Sequence, residues 1–98
     1  MYLIRLSKQA AKDRKLLAGA GLERKAKELL DVIGQNPFTT PPPYEKLSGD
    51  LKDFYSRRIN LQHRLVYMVN DNSDGLCDSN GTPYKGIITV ARMWTHYE

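Results

Sequence analysis

The side chains with chemistry to offer are two histidines, His63 and His96, one cysteine, Cys77, and arginines clustered in the second half of a 98-residue chain. An unperturbed imidazole titrates near about 6.5, so a histidine can donate or accept a proton close to neutral pH. His96 is followed by Tyr97, a residue type that can stack on a nucleobase or donate a hydrogen bond to a phosphate. In isolation a His-Tyr pair so near a chain end carries no function, because chain ends fray. No His/Cys spacing resembles a zinc site, and no glycine-rich loop is built to cradle a phosphate. Asp71, Asp74 and Asp78 lack the glycine and terminal glutamate of a calcium loop and read as solvated loop acids. The expectation is chemistry with neither metal nor cofactor.

The arginines are placed by the strands that carry them. Along Phe54–Asn60 the two-residue period puts Ser56, Arg58 and Asn60 on one face and Tyr55, Arg57 and Ile59 on the other. Along His63–Asn70 it sets Arg64, Val66 and Met68 opposite His63, Leu65, Tyr67 and Val69. One of the adjacent arginines must therefore point to each side. An arginine aimed into a concave sheet surface forms a phosphate site through its two-pronged guanidinium. The alternative is a pair of surface arginines in ion pairs with Asp50, Asp53 or the helices. Periodicity leaves both open.

The elements around these strands follow from capping and hydrophobic spacing. Met1–Leu6 reads as a short strand with apolar residues on both sides. Ser7 caps a helix running to about Gly19–Gly21. A second helix starts near Leu22, with Leu22, Ala26, Leu29, Leu30 and Ile33 on one stripe; Gly34 and Pro37 end it. The run Pro41-Pro42-Pro43 favours polyproline II, as a rigid spacer or as a means of holding Tyr44 and Glu45. Residues 71–86 carry turn formers and read as a long, mobile hairpin loop before a last strand, Gly86–Tyr97. The order is β-α-α-β-β-β, with a further short strand expected between Leu47 and Asp53. The fold class is α+β: a helical hairpin on a twisted, mostly antiparallel sheet, one domain over residues 1–98.

A formal charge of +4 favours anionic partners. No apolar run approaches the roughly 20 residues of a membrane span. The N-terminal apolar stretch is too short for a signal-peptide core, and a lone cysteine suits a reducing compartment. The expectation is a cytoplasmic protein with no membrane partner.

Three motifs in order, Ser56-Arg57-Arg58-Ile59, His63-Arg64-Leu65-Val66-Tyr67 and the terminal His96-Tyr97, resemble the YoeB/Txe family of the RelE/ParE toxin–antitoxin superfamily. Asn36-Pro37-Phe38 and the length of the helical hairpin match as well. The resemblance implies a RelE-like microbial ribonuclease fold and metal-independent cleavage of mRNA in the ribosomal A site. By position it implies that Glu45, Arg64, His96 and Tyr97 are catalytic and that Arg58 contacts phosphate. Arg57 is a further candidate for RNA contact. The family's basic residue after the glutamate is replaced by Ser48, so Lys46 or Lys52 would substitute. The implied partners are mRNA, the ribosome and an acidic antitoxin of YefM/Phd type, in a homodimer or a toxin–antitoxin hetero-oligomer. Two alternatives stand beside this reading: a ParE-like toxin without nuclease activity, and a non-catalytic RNA- or antitoxin-binding module. Two departures from the family are the long 71–86 loop and Glu98 behind the His-Tyr pair.

Overall fold

A computed structural model describes residues 1–95 of the chain. It orders the elements as β1 (Leu3–Leu6), α1 (Lys8–Gly19), α2 (Glu23–Gln35), β2 (Tyr44–Lys46), a single 3-10 turn (Gly49–Leu51), β3 (Phe54–Arg58), β4 (Arg64–Asp71) and β5 (Gly86–Thr95). The strands form one sheet in the order β1-β5-β4-β3-β2. Among the described residues only β1 and β5 pair in parallel; the other three ladders are antiparallel. The α+β class expected from the pattern is what forms.

Local signals set the helices. The Ser7 hydroxyl accepts from the backbone N–H of Ala10 at 3.0 Å and caps α1. On α2 the stripe Ala26, Leu29, Leu30 and Ile33 is buried. These residues meet Leu65 and Tyr67 of β4 and Ile88, Val90 and Met93 of β5 in one hydrophobic core. Gly34 lies inside α2 rather than ending it. There it lets Ile4 approach, since a Cβ at that position would sit 3.3 Å from Ile4 Cδ1.

Three other expectations change. The extra strand is not between Leu47 and Asp53; it is β2, directly after the prolines, while residues 49–51 form the 3-10 turn. The Thr40–Pro41 and Pro41–Pro42 peptide bonds are cis, so the proline run is not a continuous polyproline II helix. The segment between β4 and β5 is tied down rather than loose. Asn72 donates to the carbonyls of Leu76 and Tyr84, and Asp78 Oδ1 accepts from the N–H groups of Asn80 and Thr82. Cys77 and Pro83 form a bridge across it, and Lys85 N–H donates to the Met1 carbonyl.

The β4–β5 ladder slips twice, between Arg64 and Val66 and again between Val66 and Tyr67. Such slips leave backbone N–H groups without a ladder partner. Asp13, on α1, supplies the acceptor. Its Oδ2 receives the N–H groups of Met93 at 2.9 Å and Trp94 at 3.2 Å and the Arg92 Nε–H at 3.0 Å. Burial alone would raise this carboxyl, but the donors from Met93, Gln9, Arg92 and Trp94 outweigh it and hold the pKa below the ordinary 3.8. The last part of β5 is thus fastened to α1 by one buried carboxylate.

Candidate active site

The register across β2, β3 and β4 puts the charged residues side by side. Glu45 pairs with Ser56, and Ser56 with Val66; Arg58 pairs with Arg64. Directly opposed residues of an antiparallel ladder share a face. Glu45, Ser56, Arg58 and Arg64 therefore belong to one face, opposite the one that Leu65 and Tyr67 press against the helices. Arg64 Nη1 lies 3.5 Å from Glu45 Oε2 and donates to Ser56 Oγ at 3.4 Å. The Arg64 side chain is 17% exposed and that of Glu45 67%, so the cation is seated in the sheet and the carboxylate reaches into solvent.

Two arginines directly opposed on neighbouring strands repel each other unless an anion lies between them. Arg58 and Arg64 are such a pair, and among the described residues one carboxylate, Glu45, lies within ion-pair distance of Arg64. Such a pair, with a carboxylate beside Arg64, has the chemistry to receive an anion and to accept a proton next to it. Among the described residues no three His, Cys, Asp or Glu side chains gather where they could hold a metal ion.

Arg57 does not belong to this face, which corrects the expectation that it contacts RNA. It is fully buried. Its Nε–H donates to Tyr67 Oη at 3.1 Å, Nη2 to the carbonyls of Pro37 at 3.0 Å and Thr39 at 2.8 Å, and Nη1 to the Pro42 carbonyl. Fully buried and held by four hydrogen bonds inside the protein, it is not presented to a phosphate. Tyr67 completes the network by donating to the Pro37 carbonyl at 2.7 Å. Burial raises the Tyr67 pKa above 10.0, against the opposing influence of Arg57, so the phenol stays a donor.

Lys46 is exposed and in register with Tyr55, on the opposite side of the sheet from Glu45. It lines a shallow groove with Lys52 and Asp53. The structure thus brings Glu45 and Arg64 together, sets Arg58 across the ladder from Arg64 and along a groove with Lys25, Glu28 and Pro42, and leaves the two lysines apart as a separate basic patch. His96 and Tyr97 lie outside the described residues. Thr95, just before them, pairs in register with Arg64, so β5 runs to the level of the arginine pair.

Sequence reasoning missed three contributors. Ser56, buried beneath Arg64, was visible only as a strand residue. Asp13 carried no signal beyond an acidic position on a polar helix. His63 is buried and stacked on Trp94 with ring centroids 3.8 Å apart. Its Nδ1 finds no hydrogen-bond partner among the described residues. That contact joins the β3–β4 turn to the end of β5, and no local pattern announces it.

Known proteins supply the context for this geometry. Toxin YoeB of Synechocystis is 39% identical over 59 residues, covering 60% of this chain and 62% of that protein. Toxin YoeB of Escherichia coli K12 is 42% identical over 50 residues, covering 51% and 60%. The chain thus matches about three fifths of the length of these curated relatives. Among solved structures, the YoeB–YefM complex from Staphylococcus aureus contains a chain that superposes with a TM-score of 0.70 at 34% identity, over 99% of both chains. A family model for the YoeB-like toxins matches residues 9–79, which hold nearly all of the helical hairpin, Glu45, Arg58 and Arg64. The chain belongs to the family of YoeB-like toxins of bacterial type II toxin–antitoxin systems.

Proposed function

We propose that this toxin is a metal-independent endoribonuclease that cuts mRNA in the ribosomal A site, using the RNA's own 2′-hydroxyl as nucleophile. The observation that carries the reading is the Glu45–Arg64 pair at 3.5 Å beside the Arg58–Arg64 cross-strand pair. Glu45 takes the 2′-OH proton as the 2′-oxygen attacks the adjacent phosphorus. Arg64 and Arg58 stabilise the charge on the non-bridging oxygens. The bond from phosphorus to the 5′-oxygen breaks, and His96 returns a proton to that oxygen. Tyr97 orients the substrate at the phosphate. The products are a 2′,3′-cyclic phosphate and a 5′-hydroxyl.

General acid–base catalysis supplies about 10²–10⁴-fold, so the rest must come from charge stabilisation and from substrate positioning by the ribosome. The fold fits a brake as well. The solved Staphylococcus aureus relative is bound to YefM, and an acidic antitoxin segment of that type would cover Arg58 and Arg64 here. Lys46 and Lys52 would extend RNA contact beyond the scissile phosphate. The test is to add the protein to a translating extract and map 5′ ends on the message. Cuts within the codon occupying the A site, absent with Glu45→Gln and Arg64→Ala, are expected. Intact message in the presence of folded wild-type protein would overturn the reading.

A further inference from the structure

Among the described residues, Arg57 is a charge without a counter-charge. It is fully buried, and among the described residues no carboxylate pairs with it. A buried, desolvated guanidinium is costly unless its donors are all met. Here every one of its nitrogens donates, and four of its five N–H groups are met by the carbonyls of Pro37, Thr39 and Pro42 and by the Tyr67 phenol. Its carbon Cζ also sits 5.1 Å from the centre of the Tyr44 ring, within cation–π range. Four of these five contacts fall on one stretch of chain, Pro37 to Tyr44. Glu45 is the next residue.

We infer that Arg57 is the positioning residue for Glu45, an internal clamp that fixes the proline loop and thereby aims the carboxylate at Arg64. This deepens the proposed nuclease reading and rests on it for its kinetic consequence. The geometry requires an arginine. Three carbonyls and a phenol approach from separate directions, and a planar fork with donors on Nε, Nη1 and Nη2 reaches them together; a lysine ammonium is a single point. β2 alone cannot hold Glu45, because it is a three-residue edge strand paired only with β3. Phe38, Tyr44 and Tyr55 pack ring to ring around the same loop, at centroid separations of 5.1–6.0 Å. The clamp and its aromatic cover therefore form one unit on the side of the sheet opposite Glu45.

The test is a double-mutant cycle in the ribosome-programmed cleavage assay, with Arg57→Lys and Glu45→Gln singly and together. A misplacement of about 1 Å costs on the order of 100-fold, so Arg57→Lys is expected to lower kcat by about 10- to 100-fold with KM unchanged. In the Glu45→Gln background the same change should cost almost nothing, because the group it positions is gone. Multiplying losses would overturn the inference and leave Arg57 a general stability residue. If Arg57→Lys does not fold, Tyr67→Phe, which removes one arm of the clamp, takes its place in the cycle. In parallel, hydrogen exchange of the backbone amides is measured on wild type and variant. Faster exchange confined to residues 38–46, with β4 and β5 unchanged, is expected; unchanged exchange there would overturn the clamp itself. Wild-type protein that cuts no RNA would defeat the nuclease reading and the kinetic role together, whereas the exchange result decides the clamp independently.

Discussion

Asp13 Oδ2 lies 2.9 Å from the backbone nitrogen of Met93, a contact between residues eighty positions apart that joins the first helix to the last strand. The same oxygen receives Trp94 N–H and Arg92 Nε–H. It satisfies the groups that the slipped β4–β5 ladder leaves open. α1 therefore acts as the fastener of the segment that leads to His96 and Tyr97.

Replacing Asp13 by alanine should destabilise the fold by about 3–5 kcal/mol, because it leaves buried donors and the Arg92 charge without a partner. Urea unfolding of the two proteins at neutral pH measures it. A loss under 1 kcal/mol would show that the carboxylate is not a fastener.

The same group predicts an acid sensitivity. Its folded-state pKa is depressed below the ordinary 3.8. Its contribution is therefore complete above that ordinary value and is lost as pH falls through the folded-state value. Unfolding free energy measured from pH 6 down to pH 2 should fall in that acid window for wild type. In Asp13→Asn the fall should be shallower.

Tyr67 gives the alkaline counterpart. Its pKa is raised above 10.0, so its contribution is complete below pH 10 and disappears as pH rises through the folded-state value. Ultraviolet titration of the folded protein should show one of the six tyrosines ionising late, and Tyr67→Phe should abolish that late step. Tyr67→Phe is also expected to cost about 1–3 kcal/mol, since the Arg57 Nε–H then lacks its acceptor.

Glu45 should separate activity from stability. Its side chain is 67% exposed and its ion pair with Arg64 is 3.5 Å long, a combination worth about 0–1 kcal/mol to the fold. Glu45→Gln is therefore predicted to leave the urea midpoint nearly unchanged while cleavage drops by about 100-fold or more. Parallel loss of both would remove Glu45 from the reaction.

The His63–Trp94 stack predicts an asymmetry between two substitutions. His63→Ala leaves a hole against Trp94 and should destabilise by about 1–3 kcal/mol. His63→Phe keeps a ring in place and removes the buried Nδ1 that has no partner among the described residues, so it should be at least as stable as wild type. Thermal unfolding followed by the fluorescence of Trp94, the single tryptophan, distinguishes them.

Much of this protein was determined by its sequence alone. Spacing on α2, the cap at Ser7 and alternation on β3 and β4 are local properties, and local physics suffices to form them. The same alternation already required Arg57 and Arg58 to face opposite ways. Tertiary structure decided which one turned inward. A two-residue period is symmetric between faces, and only the placement of the helical hairpin and the 37–43 loop breaks that symmetry. β2 was misplaced because prolines mask the approach to it and its pairing partner, β3, lies about ten residues further on. Asp13 was invisible for a stronger reason. On its own helix it is one acidic residue among several charged ones, and it acquires a role only when a strand eighty residues away arrives with its N–H groups unpaired.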